Sequence, residues 1–215
     1  MITLASESAI IDAALPLVGP KRSLLGIAGP PGAGKSTFAQ WLVSRLNEAC
    51  RTLAVAYLPM DGFHLSNVAL DAVGLTDRKG SPASFDGVGF LAFLQRLADD
   101  TTQTIYAPDY SRTLHEPIAA SIAIVPTNRL IIVEGNYLLL PDEPWAQASR
   151  LFAEIWFIEQ TLAICHARLV DRQLRSGKSP EEAEHWFRTN DELNWNTVSE
   201  SKATAKRIID APLQN

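Results

Sequence analysis

Residues Gly29 to Ser36 read GPPGAGKS, which fits G-x-x-x-x-G-K-S, and the segments on either side restrict the fold more than the pattern does. The apolar run Leu24–Ala28 comes before it, and Phe38, Trp41, Leu42 and Leu46 follow at helical spacing. A buried strand, a glycine-rich bend and an amphipathic helix, in that order, make a cradle for phosphate. Gly29, Gly32 and Gly34 let the backbone turn back on itself and aim successive N–H groups inward, where a Cβ would intrude. Pro31, Ala33 and Thr37 complete the same nucleotide-binding segment. The first helical turn adds free amides and the positive end of the helix dipole. Lys35 can then reach the β- and γ-phosphates, and the Ser36 hydroxyl can hold Mg²⁺. Such a chain binds a nucleoside triphosphate.

At 215 residues the chain is expected to form one α/β domain with a full core. Its net charge of −5 offers no basic face, so a nucleic-acid partner is not expected. Cys50 and Cys165 form no C-x-x-C pair, which suits two reduced thiols in the cytoplasm. The opening MITLASESAI has neither a basic start nor a long apolar stretch, so no secretory signal is expected. The apolar runs are too short to span a bilayer, and no membrane partner is expected. A homodimer is compatible with all of this.

Along the chain, a first helix around Ser6–Leu15 stops at Pro16, and Thr52–Leu58 alternates into a second strand. MDGFHLSNVAL reads as a turn and a helix. An excursion over Asp71–Gly89 precedes a helix around Val88–Ala98. Thr104–Tyr106 and Ile122–Val125 read as short strands flanking the polar segment Asp109–Glu116. Arg129–Val133 and Phe152–Ile158 are near-continuous apolar strands, suited to a parallel sheet covered on both faces. Helices are expected over about Thr161–Ser176 and Pro180–Leu193, then a last strand at Arg207–Ile209. The alternation describes an open, doubly wound sheet.

Ligands of such sheets bind at the carboxyl ends of the strands, so polar residues there are the candidates for chemistry. Asp61 lies just past the second strand, where a carboxylate can accept a proton from an attacking hydroxyl. A turn or helix-capping aspartate is the competing reading. His64 can touch substrate or simply lie on the helix. Glu134 ends the most apolar strand and can hold Mg²⁺ directly or through water, or face solvent. The segment IIVEGN lacks a second acid after Glu134 to position water, which favours transfer to an organic acceptor over hydrolysis. Arg168, Arg172 and Arg175 share one helix face, with Asp171 able to pair with Arg168 and Arg175, leaving Arg172 the least satisfied. Such arginines form either a solvated face or a lid over the transferring phosphoryl group. Arg78, Lys79, Phe85 and Asp86 in the excursion, with Tyr110, Arg112 and Glu116 in the hairpin, form a candidate acceptor cap.

With these residues in view, the chain resembles the P-loop small-molecule kinases that include uridine kinase, phosphoribulokinase and bacterial type I pantothenate kinase. The similarity runs from about Leu24 to Ile209. It rests on GPPGAGKST, MDGFH, KGSPASFD, APDYSR, IIVEGNYLLL and the Arg-rich helix before Asn190, Asp191 and Asn194. The resemblance implies a three-layer α/β sandwich with a five-stranded parallel sheet and ATP·Mg²⁺ as phosphoryl donor. It implies a small-molecule hydroxyl substrate deprotonated by Asp61, with Asp86, Tyr110 and Arg112 lining the acceptor site. Arg168 and Arg172 would belong to a lid over about residues 165–180, and the acceptor cap would occupy insertions over about 62–90 and 104–125. Asn190 and Asn194 look like family positions without an assigned contact. MDGFH has Gly and His where uridine kinases typically carry Ser and Tyr, which counts against a nucleoside acceptor. EGNYLLL looks closest to a bacterial branch some of whose members are linked to fructose uptake, which favours a sugar. The rival reading is a regulatory or assembly NTPase that switches on hydrolysis. Against it, the chain has no Asn-Lys-x-Asp guanine-reading motif and no second acid after Glu134.

Overall fold

In the computed structural model, which describes residues 2–210, the elements run β1 (Ile2–Leu4), α1 (Glu7–Ala14), β2 (Ser23–Ala28), α2 (Lys35–Cys50), β3 (Val55–Pro59) and α3 (Asn67–Ala72). They continue with α4 (Gly87–Asp99), β4 (Ile105–Ser111), β5 (Glu116–Ile124), β6 (Leu130–Gly135), α5 (Trp145–Ser149) and β7 (Glu154–Glu159). The last are α6 (Leu162–Arg175), α7 (Pro180–Trp186), α8 (Glu192–Glu200) and β8 (Arg207–Asp210). Six strands pair in parallel in the order β1-β8-β7-β2-β6-β3, and β4 with β5 forms a separate antiparallel hairpin.

Alternation along the strands divides the core into two layers. On β6, Leu130 and Ile132 pack with Phe38, Leu42 and Leu46 of α2, with Ile10 of α1 and with Leu169 of α6. Ile131 and Val133 point the other way, onto Phe90 and Leu94 of α4, Trp145 of α5 and Ile105 of the hairpin. Both faces of the strand are covered, which is why its sequence is apolar without a break. A fully buried leucine such as Leu42 contributes on the order of 2 kcal/mol relative to exposure. Helix starts follow local chemistry: the Ser6, Ser66 and Thr161 side chains each accept a backbone N–H, and Ser179 with Glu182 forms a reciprocal capping box before α7. Arg22 gathers the end of α4 by donating to the carbonyls of Leu97 and Asp100, and also to those of Val125 and Asn128.

Three features differ from the sequence reading. The sheet has a sixth strand beyond the five expected, because Ile2–Leu4 pairs with β8 from Ile2↔Arg207 to Leu4↔Ile209. Three residues are too short to show a period, and tertiary pairing alone orders them. The hairpin strands extend to Ser111 and from Glu116, through an irregularity between Ala107 and Asp109 that breaks the alternation. The helix expected over Pro180–Leu193 is interrupted by a π-helical turn at Phe187–Asp191, which leaves Asn190 and Asp191 buried.

Parallel pairing brings the carboxyl ends of β2, β3 and β6 to one edge. Glu134 is in register with Ile27 on one side and Pro59 on the other. The loops beginning at Gly29, Met60 and Asn136 therefore leave the sheet side by side.

Candidate active site

The glycine-rich loop runs beneath α6. Gly32 has φ +79°, and a Cβ there would stand 2.9 Å from the Cys165 carbonyl oxygen, so only glycine fits without displacing the helix. Lys35 opens α2 and is buried, with Nζ donating to the Pro30 carbonyl at 3.1 Å. Burial holds its pKa below the usual lysine range, while the charges of Glu134 and Asp61 pull it back up.

Beside the loop, Ser36 Oγ and the Tyr57 hydroxyl each donate to Glu134 Oε1 at 2.8 Å. Glu134 is 4 % exposed. Burial, then the Asp61 charge, pushes its carboxyl pKa up, and Lys35, Ser36 and Tyr57 act in the opposite direction. Its direction follows from the strand: Leu130 and Ile132 lie on the α2 side, so Glu134 continues that face toward Ser36. Val55 and Tyr57 occupy the same face of β3. Burial and the Glu134 charge push the Tyr57 phenol far above its ordinary pKa, so it stays a donor. The Ser36 and Glu134 oxygens are hard donors of the kind Mg²⁺ takes, few enough to leave most of its octahedron to water and phosphate. Among the described residues, no group of three or more acidic, histidine or cysteine side chains forms a protein-only metal cage.

Asp61 sits half-buried in the turn Met60–Phe63 that ends β3. Its charge raises the pKa of Lys35, Glu134, Tyr110 and Tyr137. A Cβ on Gly62 would come within 2.5 Å of the Pro108 carbonyl oxygen, so the hairpin rests directly on this turn. The His64 ring packs on Phe85 with centroids 3.8 Å apart and lies 5.0 Å from the Tyr110 ring. His64 Nδ1 is 2.9 Å from the Asp61 carbonyl oxygen, and burial lowers the imidazole pKa, which favours the neutral ring. Burial and Asp61 push Tyr110 up to about 12.

On α6, Arg168 Nη1 donates to the Gly32 carbonyl at 3.0 Å, joining this helix to the loop. Arg175 pairs with Asp171 at 2.8 Å, both exposed. Arg172 makes no ion pair or side-chain hydrogen bond among the described residues, yet its charge acts on Lys35, His64, Tyr110 and Asp191. Its charge is thus felt at the phosphate loop, at the turn after β3 and at the hairpin, while the side chain itself is exposed.

No protein-family model matches the chain. A Schizosaccharomyces pombe protein provisionally named a uridine kinase is 34% identical over 195 residues, covering 88% of this chain and 83% of its own. The chain belongs to the P-loop small-molecule kinases. An uncharacterised Escherichia coli protein, YggC, is 33% identical to this kinase over 92% of the chain and 82% of its own length. A Silicibacter sp. structure provisionally named a fructose transport system kinase superposes with a TM-score of 0.87 at 30% identity, covering 95% of this chain and 99% of its own. The Saccharomyces cerevisiae kinase-like protein YFH7, described as circularly permuted, shares the fold at TM-score 0.83 and 20% identity, over 98% of this chain and 100% of its own.

The kinase brings Lys35, Ser36, Glu134 and Asp61 together at one edge of the sheet, with the His64 and Tyr110 rings packed together at the hairpin and the Arg172 charge acting on the group. Several cap residues are held in other ways. Lys79 Nζ donates to Asn67 Oδ1 at 2.5 Å and to the His115 carbonyl at 2.6 Å, tying the excursion to the hairpin tip. Asp86 accepts the Gly89 N–H at 2.8 Å and caps α4. Phe85 is buried in an aromatic group with Tyr137 and Trp145 and presents one face to His64. Arg112 is exposed near the hairpin tip. Tyr57, Tyr137 and Asp191 are not among the site residues that the sequence points to. Strand alternation through Val55 and Tyr57 is the signal for the first. Tyr137 donates to the Gly80 carbonyl and Asn190 Nδ2 donates to the Lys79 carbonyl at 2.7 Å, so both fasten the excursion; neither contact has a local sequence signal.

Proposed function

We propose that this kinase transfers the γ-phosphoryl group of ATP to a hydroxyl of a small metabolite, with a sugar such as fructose favoured. The observation that carries the reading is the placement of Asp61 at the edge shared by the phosphate loop and Glu134, roofed by the hairpin through the Gly62–Pro108 contact. Asp61 orients the acceptor hydroxyl and accepts its proton. The freed oxygen forms a bond to the γ-phosphorus as the bond to the bridging oxygen breaks, and ADP departs with that oxygen's electrons. Lys35 and the loop amides hold the β- and γ-phosphates, while Arg168 and Arg172 offset the charge that develops. Mg²⁺, held by Ser36 and Glu134, would neutralise the β- and γ-oxygens when bound. Most of the acceleration then comes from positioning and charge stabilisation.

The sugar preference draws support from the Silicibacter neighbour and its printed name. The packed rings of His64, Phe85 and Tyr110 beside Asp61 also offer a short wall suited to a small polyol. The test is ADP release from Mg·ATP over a panel of sugars, other polyols, pantothenate and nucleosides. One acceptor should stimulate release strongly in the wild type and hardly at all in Asp61→Asn. Slow release indifferent to every acceptor would instead support an NTPase switch.

A further inference from the structure

We infer that Tyr57 is a positioning residue for Glu134, fixing that carboxylate for the metal-bound nucleotide; the inference rests on the kinase reading above. The Tyr57 and Ser36 hydroxyls converge on one oxygen, Glu134 Oε1, each at 2.8 Å. Glu134 Oε2 accepts no side-chain hydrogen bond among the described residues, and it is not among the buried polar atoms left without a partner. One oxygen is thus pinned by two donors while the other is left without a side-chain donor among the described residues. The terminal torsion of a glutamate is broad and roughly two-fold, so without fixed donors its two oxygens exchange roles readily.

The two donors have different relations to the nucleotide. Ser36 lies in the first turn of α2 and belongs to the phosphate-binding segment itself. Tyr57 stands outside that segment, on β3 in register with Ile132, with its ring against the α2-side core. Packing alone does not require its hydroxyl, since phenylalanine would fill the same layer. The hydroxyl is spent on Glu134, supplying a restraint that is independent of what Ser36 binds.

The experiment measures equilibrium binding of ADP to wild type, Tyr57→Phe, Glu134→Gln and the double variant, with excess chelator and across a Mg²⁺ titration. Tyr57→Phe should leave metal-free ADP affinity unchanged and raise the Mg²⁺ needed for half-maximal enhancement roughly ten-fold, the size typical when a group orienting a metal ligand is lost. In the Glu134→Gln background the same substitution should have no further effect, because its route is through that carboxylate. Additive effects of the two substitutions, or an unshifted Mg²⁺ response in Tyr57→Phe while Glu134→Gln is impaired, would overturn the inference. An unshifted response in Glu134→Gln would instead overturn the placement of the metal, and the inference with it.

Discussion

Glu134 is a buried carboxylate whose neighbours define the chemistry available at the site. Two hydroxyls and the Lys35 charge favour its ionised form, while burial and Asp61 oppose it. Asp61 is less buried, in the turn after β3, and in the proposed reaction it takes the acceptor's proton. Asp61→Asn should therefore retain nucleotide affinity while transfer falls by about 10²–10⁴-fold, the usual worth of a general base; unchanged turnover would remove Asp61 from that role. A second residue-level consequence concerns Asp191, 5 % exposed with Oδ2 unpartnered. Burial raises its pKa to about 6, with Arg172 and Lys178 acting in the opposite direction. The folded state thus keeps the Asp191 proton to higher pH than the unfolded chain, whose carboxyl titrates near about 3.9. Its contribution to stability is fully present below that value and is lost as pH rises through about 6. Asp191→Asn should then stabilise the protein by on the order of 2 kcal/mol above that range and show little gain near about pH 4. Thermal melts of the pair across pH check this, and an equal offset at every pH would refute it. The loop GPPGAGKS between β2 and α2, and Asp61 in the turn after β3, are legible in the sequence because their places follow local patterns. Alternation through Val55 marks the face that Tyr57 occupies, but its bond to Glu134 and the burial of Asp191 in the π-helical turn have no local pattern.

At the scale of elements, the turn Met60–Phe63 and the hairpin form one unit. Gly62 is needed because the Pro108 carbonyl lies where a Cβ would be. Gly62→Ala should push the hairpin off the turn, destabilise the fold by about 1–3 kcal/mol as overpacking does, and weaken acceptor use more than nucleotide binding. Separate titrations of the two ligands read this directly; equal losses for both would contradict it. Long periodic elements such as α2, α4 and α6 were readable because burial follows their own repeats. The hairpin strands run longer than their sequence suggests because β5 is mostly solvent-facing, so alternation fades between Glu116 and Ser121. The π-helical turn escaped because the residues around it favour helix locally. What selects the wider turn is the inward packing of Phe187 and Asn190 against α6 and the excursion.

For the whole molecule, the parallel sheet is what assembles the site, since it delivers Gly29, Asp61 and Glu134 to a single edge from distant parts of the chain. None of the helices among the described residues is long and apolar enough to cross a membrane. The doubly wound architecture was evident from the alternation of apolar runs and helices, while the edge strand Ile2–Leu4 depended on pairing that only the folded chain provides. The central claim is that the phosphoryl group passes to an organic hydroxyl and not to water. Phosphorus NMR of a reaction with Mg·ATP and the best acceptor of the panel measures this most directly. A phosphate ester should accumulate in step with ADP, with little inorganic phosphate, and Asp61→Asn should abolish it. Inorganic phosphate appearing in step with ADP, whatever acceptor is present, would contradict the account.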